Sequence, residues 1–259
     1  MRTRTSGARR GLVIGGAAVA AVAVAGIALL ARGDTEPAEA VLSFDFEADD
    51  VGALGSSGLD VAAVTRDGGV LTLESGRDGQ ALRFPTYEGT DARRAVLTVR
   101  ADDEERLEPG TADFTFGADL RLDAVSEGTE FDNGNNVLQR GLFSDGAQFK
   151  LQVDRGTASC RVAGDAGEVV VTASEPLRPE QWYRVECSRT GEQVRLLLTA
   201  LEGDENAVET VVEGPTGAVL FDAATPLTLG AKTDAAGVVP ASSDQFNGAM
   251  DNVEIVIGG

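Results

Sequence analysis

The carboxyl-terminal stretch Phe246-Asn247-Gly248-Ala249-Met250-Asp251-Asn252-Val253-Glu254-Ile255-Val256-Ile257 places Val253, Ile255 and Ile257 on one face of an extended chain, with Asn252 and Glu254 on the other. Alternation of this kind behind an Asn-Gly turn predicts a half-buried strand. The same pattern recurs over Asp113–Asp123, where Phe114, Phe116, Ala118, Leu120 and Leu122 share a face. Shorter strand-like runs occupy 41–47, 70–73, 80–84, 94–100, 137–143, 148–153, 159–163, 169–172, 182–188, 194–199, 208–212 and 227–230. Turn signals such as Ser56-Ser57-Gly58 and Asp67-Gly68-Gly69 separate them, and 101–108 reads as an acidic loop or a single helical turn. Many short strands at this spacing predict an all-β chain, an antiparallel sandwich or barrel.

The amino terminus reads differently. Arg2, Arg4, Arg9 and Arg10 precede an uncharged run from Gly11 to Ala31. A basic start before an apolar run is a secretory signal, and this run is also long enough to span a bilayer. Residues 1–32 are therefore expected to be a signal peptide or a membrane anchor, and 33–40 a linker. Ala38-Glu39-Ala40 is a candidate cleavage site. The globular domain is expected over 41–259.

The full chain carries formal net charge −20. Residues 1–40 hold five arginines and three acids, so the part beyond them carries −22. That surface repels phosphate backbones and anionic membranes, which excludes nucleic acid as a partner and leaves residues 11–31, if uncleaved, as the membrane contact. The sequence has no histidine, which removes Ser-His-Asp and Cys-His catalysis and His-ligated zinc. It has two cysteines, Cys160 and Cys187, both in strand-like runs and each in phase with inward apolar residues. In an exported chain this predicts a disulfide, with opposed residues of neighbouring antiparallel strands offering the geometry. For a sequence separation of 27, loop-closure entropy gives roughly 3–4 kcal/mol.

Several segments resemble, in order, the concanavalin A-like lectin/glucanase superfamily and in particular a laminin G-like domain of a secreted bacterial protein. Phe44-Asp45-Phe46-Glu47 resembles the opening strand, Gly79-Gln80-Ala81-Leu82-Arg83-Phe84 the Gly-x-Ala-Leu-x-Phe segment, and Phe114–Leu122 the long strand after it. Gln139-Arg140-Gly141 sits where many members carry a short basic-Gly turn. Gln181-Trp182-Tyr183-Arg184-Val185 resembles a Trp-led strand, and Phe246–Ile255 the closing one. The resemblance implies an antiparallel jelly-roll sandwich over residues 41–257, a fold that hosts lectins, adhesion modules, hydrolases and lyases.

Retaining glycoside hydrolases of this fold carry Glu-x-Asp-x-Glu on one strand, which sets the carboxylates at working distance. Glu47-Ala48-Asp49 lacks the second glutamate, and Asp102-Asp103-Glu104-Glu105 falls in a loop. A non-catalytic reading follows. Calcium takes oxygen ligands, and two constellations offer them. Asp45 and Asp251 come together if the opening and closing strands pair as the resemblance implies, although Asp45 faces away from Phe44 and Phe46 while Asp251 is in phase with Val253 and Ile255. Glu130 with Asp132-Asn133-Gly134-Asn135 is the second. Sugar sites stack rings on aromatics. Trp182, the only tryptophan, is out of phase with Tyr183, Val185 and Cys187, and either faces out or packs under a loop. The sequence is thus expected to encode an extracellular or cell-surface binding module, carbohydrate-binding or adhesive. A polysaccharide-cleaving enzyme of the same fold and a structural envelope protein are the alternatives.

Overall fold

The computed structural model describes residues 40–54, 58–86, 93–129, 132, 134–203, 206–222 and 224–258. The expected signal or anchor lies outside them, as does all of the linker except Ala40. Among the described residues no helix is long and apolar enough to cross a membrane.

The chain forms strands β1 (Ala40–Phe44), β2 (Leu59–Arg66), β3 (Thr72–Ser75), β4 (Gln80–Arg83), β5 (Arg94–Ala101), β6 (Phe114–Leu122), β7 (Asn135–Arg140), β8 (Gln148–Asp154), β9 (Thr157–Gly164), β10 (Gly167–Thr172), β11 (Trp182–Thr190), β12 (Gln193–Ala200), β13 (Ala207–Glu213), β14 (Leu227–Leu229) and β15 (Gly248–Ile257). The acidic stretch after β5 is a single 3-10 turn, Glu104–Leu107, whose cap Asp103 accepts from the Glu105 N–H. All pairings are antiparallel. One sheet runs β13-β12-β11-β6-β15-β4-β3, and β1 also pairs with β15; the other runs β10-β9-β8-β7-β14-β5-β2. The sandwich expected from sequence is therefore present.

Alternation explains most of these elements. On β6, Phe114, Phe116, Ala118, Leu120 and Leu122 are buried against the opposing sheet. Phe114 and Phe116 stack with ring centroids 5.6 Å apart, and Phe149 of β8 meets Phe116 at 5.0 Å. Each such ring contributes about 1.5–3 kcal/mol by leaving water.

Two elements depart from the expectation. Sequence reading gives no strand over Leu59–Arg66, yet β2 pairs with β5 along its whole length. Its alternation is weak because small and apolar residues fall on both faces: Leu59, Val61 and Ala63 on one, Ala62 and Val64 between Asp60 and Arg66 on the other. Val61 packs on the main core, while Val64 joins Val96, Ala231 and Val239 on the outer side. The second departure is a bulge in β15. Asp251 is opposite Asp119, but Glu254 is opposite Gly117. Two residues of β15 therefore face one of β6, and Asn252 takes φ 47°.

The sulfur atoms of Cys160 and Cys187 are bonded, with Cα atoms 6.1 Å apart. The pair is as expected, but the route is not. Cys160 lies on β9 and Cys187 on β11, so the bridge joins the two sheets across the core rather than two neighbouring strands.

Candidate functional site

The bulge decides where the expected metal residues point. Without it, Asp251 would share the core face of Val253 and Ile255. With it, Met250 and Val253 both enter the core, and Asp251 stands on the outer face of the eight-stranded sheet, beside Asp119. The inward placement read from the sequence is thus corrected by one extra residue in the ladder. Asp251 is nonetheless buried, and its carboxyl is pushed up to about 6. Burial is the main cause. The charges of Asp119, Glu47 and Asp45 push in the same direction, and the Asn252 N–H bond to Oδ1 (2.7 Å) pulls back. Asp45 and Asp251 are thus within electrostatic reach. Asp45 itself is exposed and accepts from the Glu47 N–H.

The surrounding charges are closed on one another. Arg184 donates to the Asn252 carbonyl (2.6 Å) and lies 3.5 Å from both Asp119 and Glu254 and 3.8 Å from Glu186. Asn252 Nδ2 donates to Asp119 (2.9 Å). Arg83 holds Asp123 through two bonds, and Arg121 holds Glu74 at 2.8 Å. Trp182 lies on this outer side yet is buried with Ala81 and Ala249, under Leu201 and Arg121. It is therefore both out of phase with the core and packed.

The other expected metal constellation is used by its own loop. Asp132 Oδ2 accepts the Glu127 N–H (2.6 Å), and Asn135 Oδ1 accepts the Asn247 N–H (2.8 Å). Glu130 and Asn133 lie outside the described residues. Among the described residues no group of three or more acids or cysteines is placed to hold a metal ion.

A different arrangement occupies the outer face of the seven-stranded sheet. Register aligns one residue from each strand into a row: Val170, Arg161, Lys150, Gln139, Thr228, Thr98 and Ala62. The sheet's pleat sends all of them away from the core. Two adjoining depressions of about 230 and 220 Å³ open over this row and share Gln139 and Leu142.

The walls of this cleft are built by two connections. Between β7 and β8, Leu142 donates to Asp145 Oδ2 (2.8 Å), which closes a turn and presents Phe143 at its tip. Gly141 begins that turn at φ 81°. A side chain there would meet the Ala147 carbonyl at 2.3 Å, so only glycine fits. The Gly141 carbonyl accepts from both Gln139 (3.2 Å) and Gln148 (2.9 Å), and Asn136 donates to Gln139 Oε1 (3.2 Å). The glutamines are thereby oriented. On the other side, the connection from β14 to β15 folds back over the sheet. Ser243 fixes it by accepting from the Lys232 N–H (3.0 Å), and the Asn136 N–H donates to the Asp244 carbonyl. Lys232 consequently lines the cleft, 3.9 Å from Asp244.

Phe143 is 77% exposed and lies 4.8 Å from the Arg161 guanidinium. Arg161 is held by Glu168 (2.9 and 2.5 Å) and by Gln148. Lys150 sits between Gln139 and Arg161. Burial lowers its pKa from the ordinary lysine value, Lys232 and Arg161 lower it further, and Asp244 and Asp154 act against them. Asp145 and Asp234, also on the rim, are occupied in capping backbone N–H groups. Chemically the cleft offers amide donors and acceptors, ammonium and guanidinium donors, one accessible aromatic face and, in the first depression, the carboxylates of Asp145, Asp222 and Asp234.

Sequence reasoning reached Gln139-Arg140-Gly141 as a turn but did not see the cleft. In fact Gln139 and Arg140 end β7, and only Gly141 turns. One signal was available: Lys150 and Lys232 are the only lysines in the chain.

Comparison with known proteins agrees with this architecture. Residues 131–256 match the Laminin G domain family. No curated protein sequence matches the chain. Among solved structures, the botulinum neurotoxin serotype G binding domain aligns with TM-score 0.55 at 8% identity, over 85% of this chain and 48% of that one. Domain 4 of AbnA, an extracellular GH43 arabinanase from Geobacillus stearothermophilus solved with arabinotriose, aligns with TM-score 0.52 at 13% identity, over 86% and 94%. The binding domain of Paraclostridial Mosquitocidal Protein 1 aligns with TM-score 0.51 at 12% identity, over 85% of this chain and about half, 49%, of that one. At these identities the likeness is one of fold. The fold is the laminin G-like, concanavalin A-like sandwich.

Proposed function

We propose that this laminin G-like sandwich is an extracellular, non-catalytic module that binds a glycan or another cell-surface component in the cleft over the seven-stranded sheet. The observation that carries the reading is the cross-strand row of Arg161, Lys150, Gln139 and Thr228 beneath the exposed ring of Phe143. An accessible aromatic face beside oriented amides is the chemistry that binds a sugar ring and its hydroxyls. The arabinotriose complex of the AbnA domain and the two toxin binding domains support it as analogies of fold. The disulfide suits an oxidising compartment, and export or anchoring through residues 11–31 belongs to the same proposal.

The test is a glycan array followed by calorimetry on the full chain. Binding should be retained in Asp251→Asn and weakened about tenfold in Phe143→Ala, the scale of one lost stacking contact with its ordered neighbours. Binding that is indifferent to Phe143 would move the site elsewhere. Calcium at Asp45 and Asp251 is tested on the same preparation. A melting temperature that rises with calcium and falls with chelator, and a response lost in Asp251→Asn, would establish it.

A further inference from the structure

We propose that β2 is an interface strand, on which a second copy of this chain pairs edge to edge and antiparallel, about a two-fold axis at Ala63. The interface lies at the margin of the seven-stranded sheet and does not depend on what the cleft binds.

Three observations carry it. The first is an open edge. β2 ends its sheet and pairs with β5 on one side only. Its eight residues exceed those of the other margin strands, β13 with seven, β10 with six and β3 with four. Ala62, Ala63 and Thr65 are exposed, Ala63 even though alternation turns it toward the core side. The second is that nothing blunts this edge. Proline, lysine or a bulge protects most margin strands. β2 has no proline and no lysine, and its register with β5 runs from Leu59 to Arg66 without a shift. The third is self-complementarity. With Ala63 on the axis, Asp60 lies opposite the partner's Arg66, Val61 opposite the partner's Thr65 and Ala62 opposite the partner's Val64. Asp60 has no hydrogen bond or ion pair among the described residues. Arg66 donates through Nε to Asp67 (2.9 Å) and through Nη1 to the Val239 carbonyl (3.3 Å), which fixes the guanidinium and leaves Nη2 for a second carboxylate.

Unlike charges directly opposed across a ladder stabilise it, and like charges destabilise it. The two-fold axis makes the Asp60–Arg66 pair twice, once at each end of the seam. The other margins do not match themselves in this way. On β13 a register centred on Val211 sets Glu209 against Glu213, and Glu209 is already held by Arg195. β10 carries Glu168 and has no basic residue to oppose it. The chain's net charge of −20 opposes self-association. At physiological salt, however, charges beyond about 8 Å are screened, so the nearest ones, an acid against a base, set the local sign. Pairing continues one seven-stranded sheet into the other. Opposed residues share a face, so both clefts open on the same side, with the two β8 strands nine spacings or about 43 Å apart. Under the proposed function the dimer is thus bivalent toward a single surface.

The experiment is sedimentation velocity on the full chain across a concentration series. A single strand edge is at the small end of specific interfaces, so a reversible doubling of mass is expected in roughly the micromolar range. Asp60→Arg turns both pairs repulsive and should weaken the dimer about tenfold, as should Arg66→Asp. The double variant Asp60→Arg/Arg66→Asp restores opposite charges and should restore the dimer. Ala63→Lys, at an exposed position, sets two ammonium groups across the axis and should abolish the dimer without moving the melting temperature. It keeps the test decisive should Arg66→Asp fold poorly through loss of the Val239 contact. Ala63→Cys should give a cross-linked dimer on a non-reducing gel, because directly opposed residues have Cα atoms about 4.5–5.5 Å apart. Ala62→Cys, which faces the partner's Val64, should give far less. A monomer at every concentration would overturn the proposal. A dimer that Asp60→Arg and Ala63→Lys both leave unchanged would overturn it too, since its contact would lie elsewhere. Neither result bears on the glycan reading, which the array tests by itself.

Discussion

The outer faces of the two sheets are made of the same kinds of side chain and use them in opposite ways. On the eight-stranded sheet, arginines and carboxylates from adjacent strands are matched to one another, and the lone tryptophan is sealed beneath Leu201 and Arg121. On the seven-stranded sheet, the aromatic ring is open, and Lys150 makes no direct ion pair and is opposed only at longer range by Asp244 and Asp154. A face whose charges are mutually satisfied serves folding, because a ligand would have to break existing pairs to enter. A face with an open ring and a lysine without a direct ion pair has groups free to meet a ligand, which is the contrast that the proposed function uses.

This contrast can be broken at several points. The largest effect is expected where the two faces are tied together. Replacing Cys160 and Cys187 with alanine should cost about 3–4 kcal/mol and lower the melting temperature by roughly 10 °C in a calorimetric scan.

Next comes the eight-stranded face. Arg184→Ala leaves Asp119, Glu186 and Glu254 without their shared cation. Because the Arg184 side chain is 20% exposed, the expected cost is about 2 kcal/mol rather than the ~3–5 kcal/mol of a fully buried pair. Denaturant unfolding measures it, and glycan binding by the folded fraction should not change.

Asp251→Asn should act in the other direction. The folded state holds this carboxyl up to about 6, above its value of about 3.9 in the unfolded chain. Its favourable contribution is therefore complete below about pH 4 and is lost as pH rises through 6. Asparagine removes the charge and can still accept the Asn252 N–H. The variant should be about 1–2 kcal/mol more stable than the parent at pH 7.5 and equal to it near pH 4, so urea melts at the two values separate the outcomes. Equal stability at both would mean that Arg184 already neutralises the site.

The smallest stability effect belongs to the face proposed for binding. Lys150→Gln should leave the melting temperature nearly unchanged, within about 0.5 kcal/mol. A marked loss of stability would show that Lys150 holds the fold after all and would erase the contrast between the two faces.

The fold was largely legible because its inner faces alternate cleanly, as at Phe114–Leu122 and Val194–Leu198. Legibility failed where one residue or one covering loop changed the count. Asp251 was read with the wrong phase because a bulge is invisible to a period of two. β2 was missed because Ala62 and Val64 interrupt its polar side, Val64 being covered by the connection that carries Ala231 and Val239. The parity of Cys160 and Cys187 gave the pairing but could not distinguish a neighbouring strand from the facing sheet. The cleft was the least legible part. Its floor is a line across strands, assembled from residues separated along the chain by turns of unpredictable length, and its wall is an irregular segment pinned by Ser243 and Gln245. No local pattern encodes such a line.

The bridge has one more consequence. Cys160 immediately precedes Arg161 in the cleft, and Cys187 immediately follows Glu186 on the far face. A pull applied to a ligand seated on Arg161 is therefore passed through a covalent bond into β11, at the middle of the other sheet. Without it the pull would reach that sheet only through the connecting loops and the side chains packed across the core, which yield more readily under shear. In the proposed binding role, the rivet lies one residue behind the residue that meets the ligand.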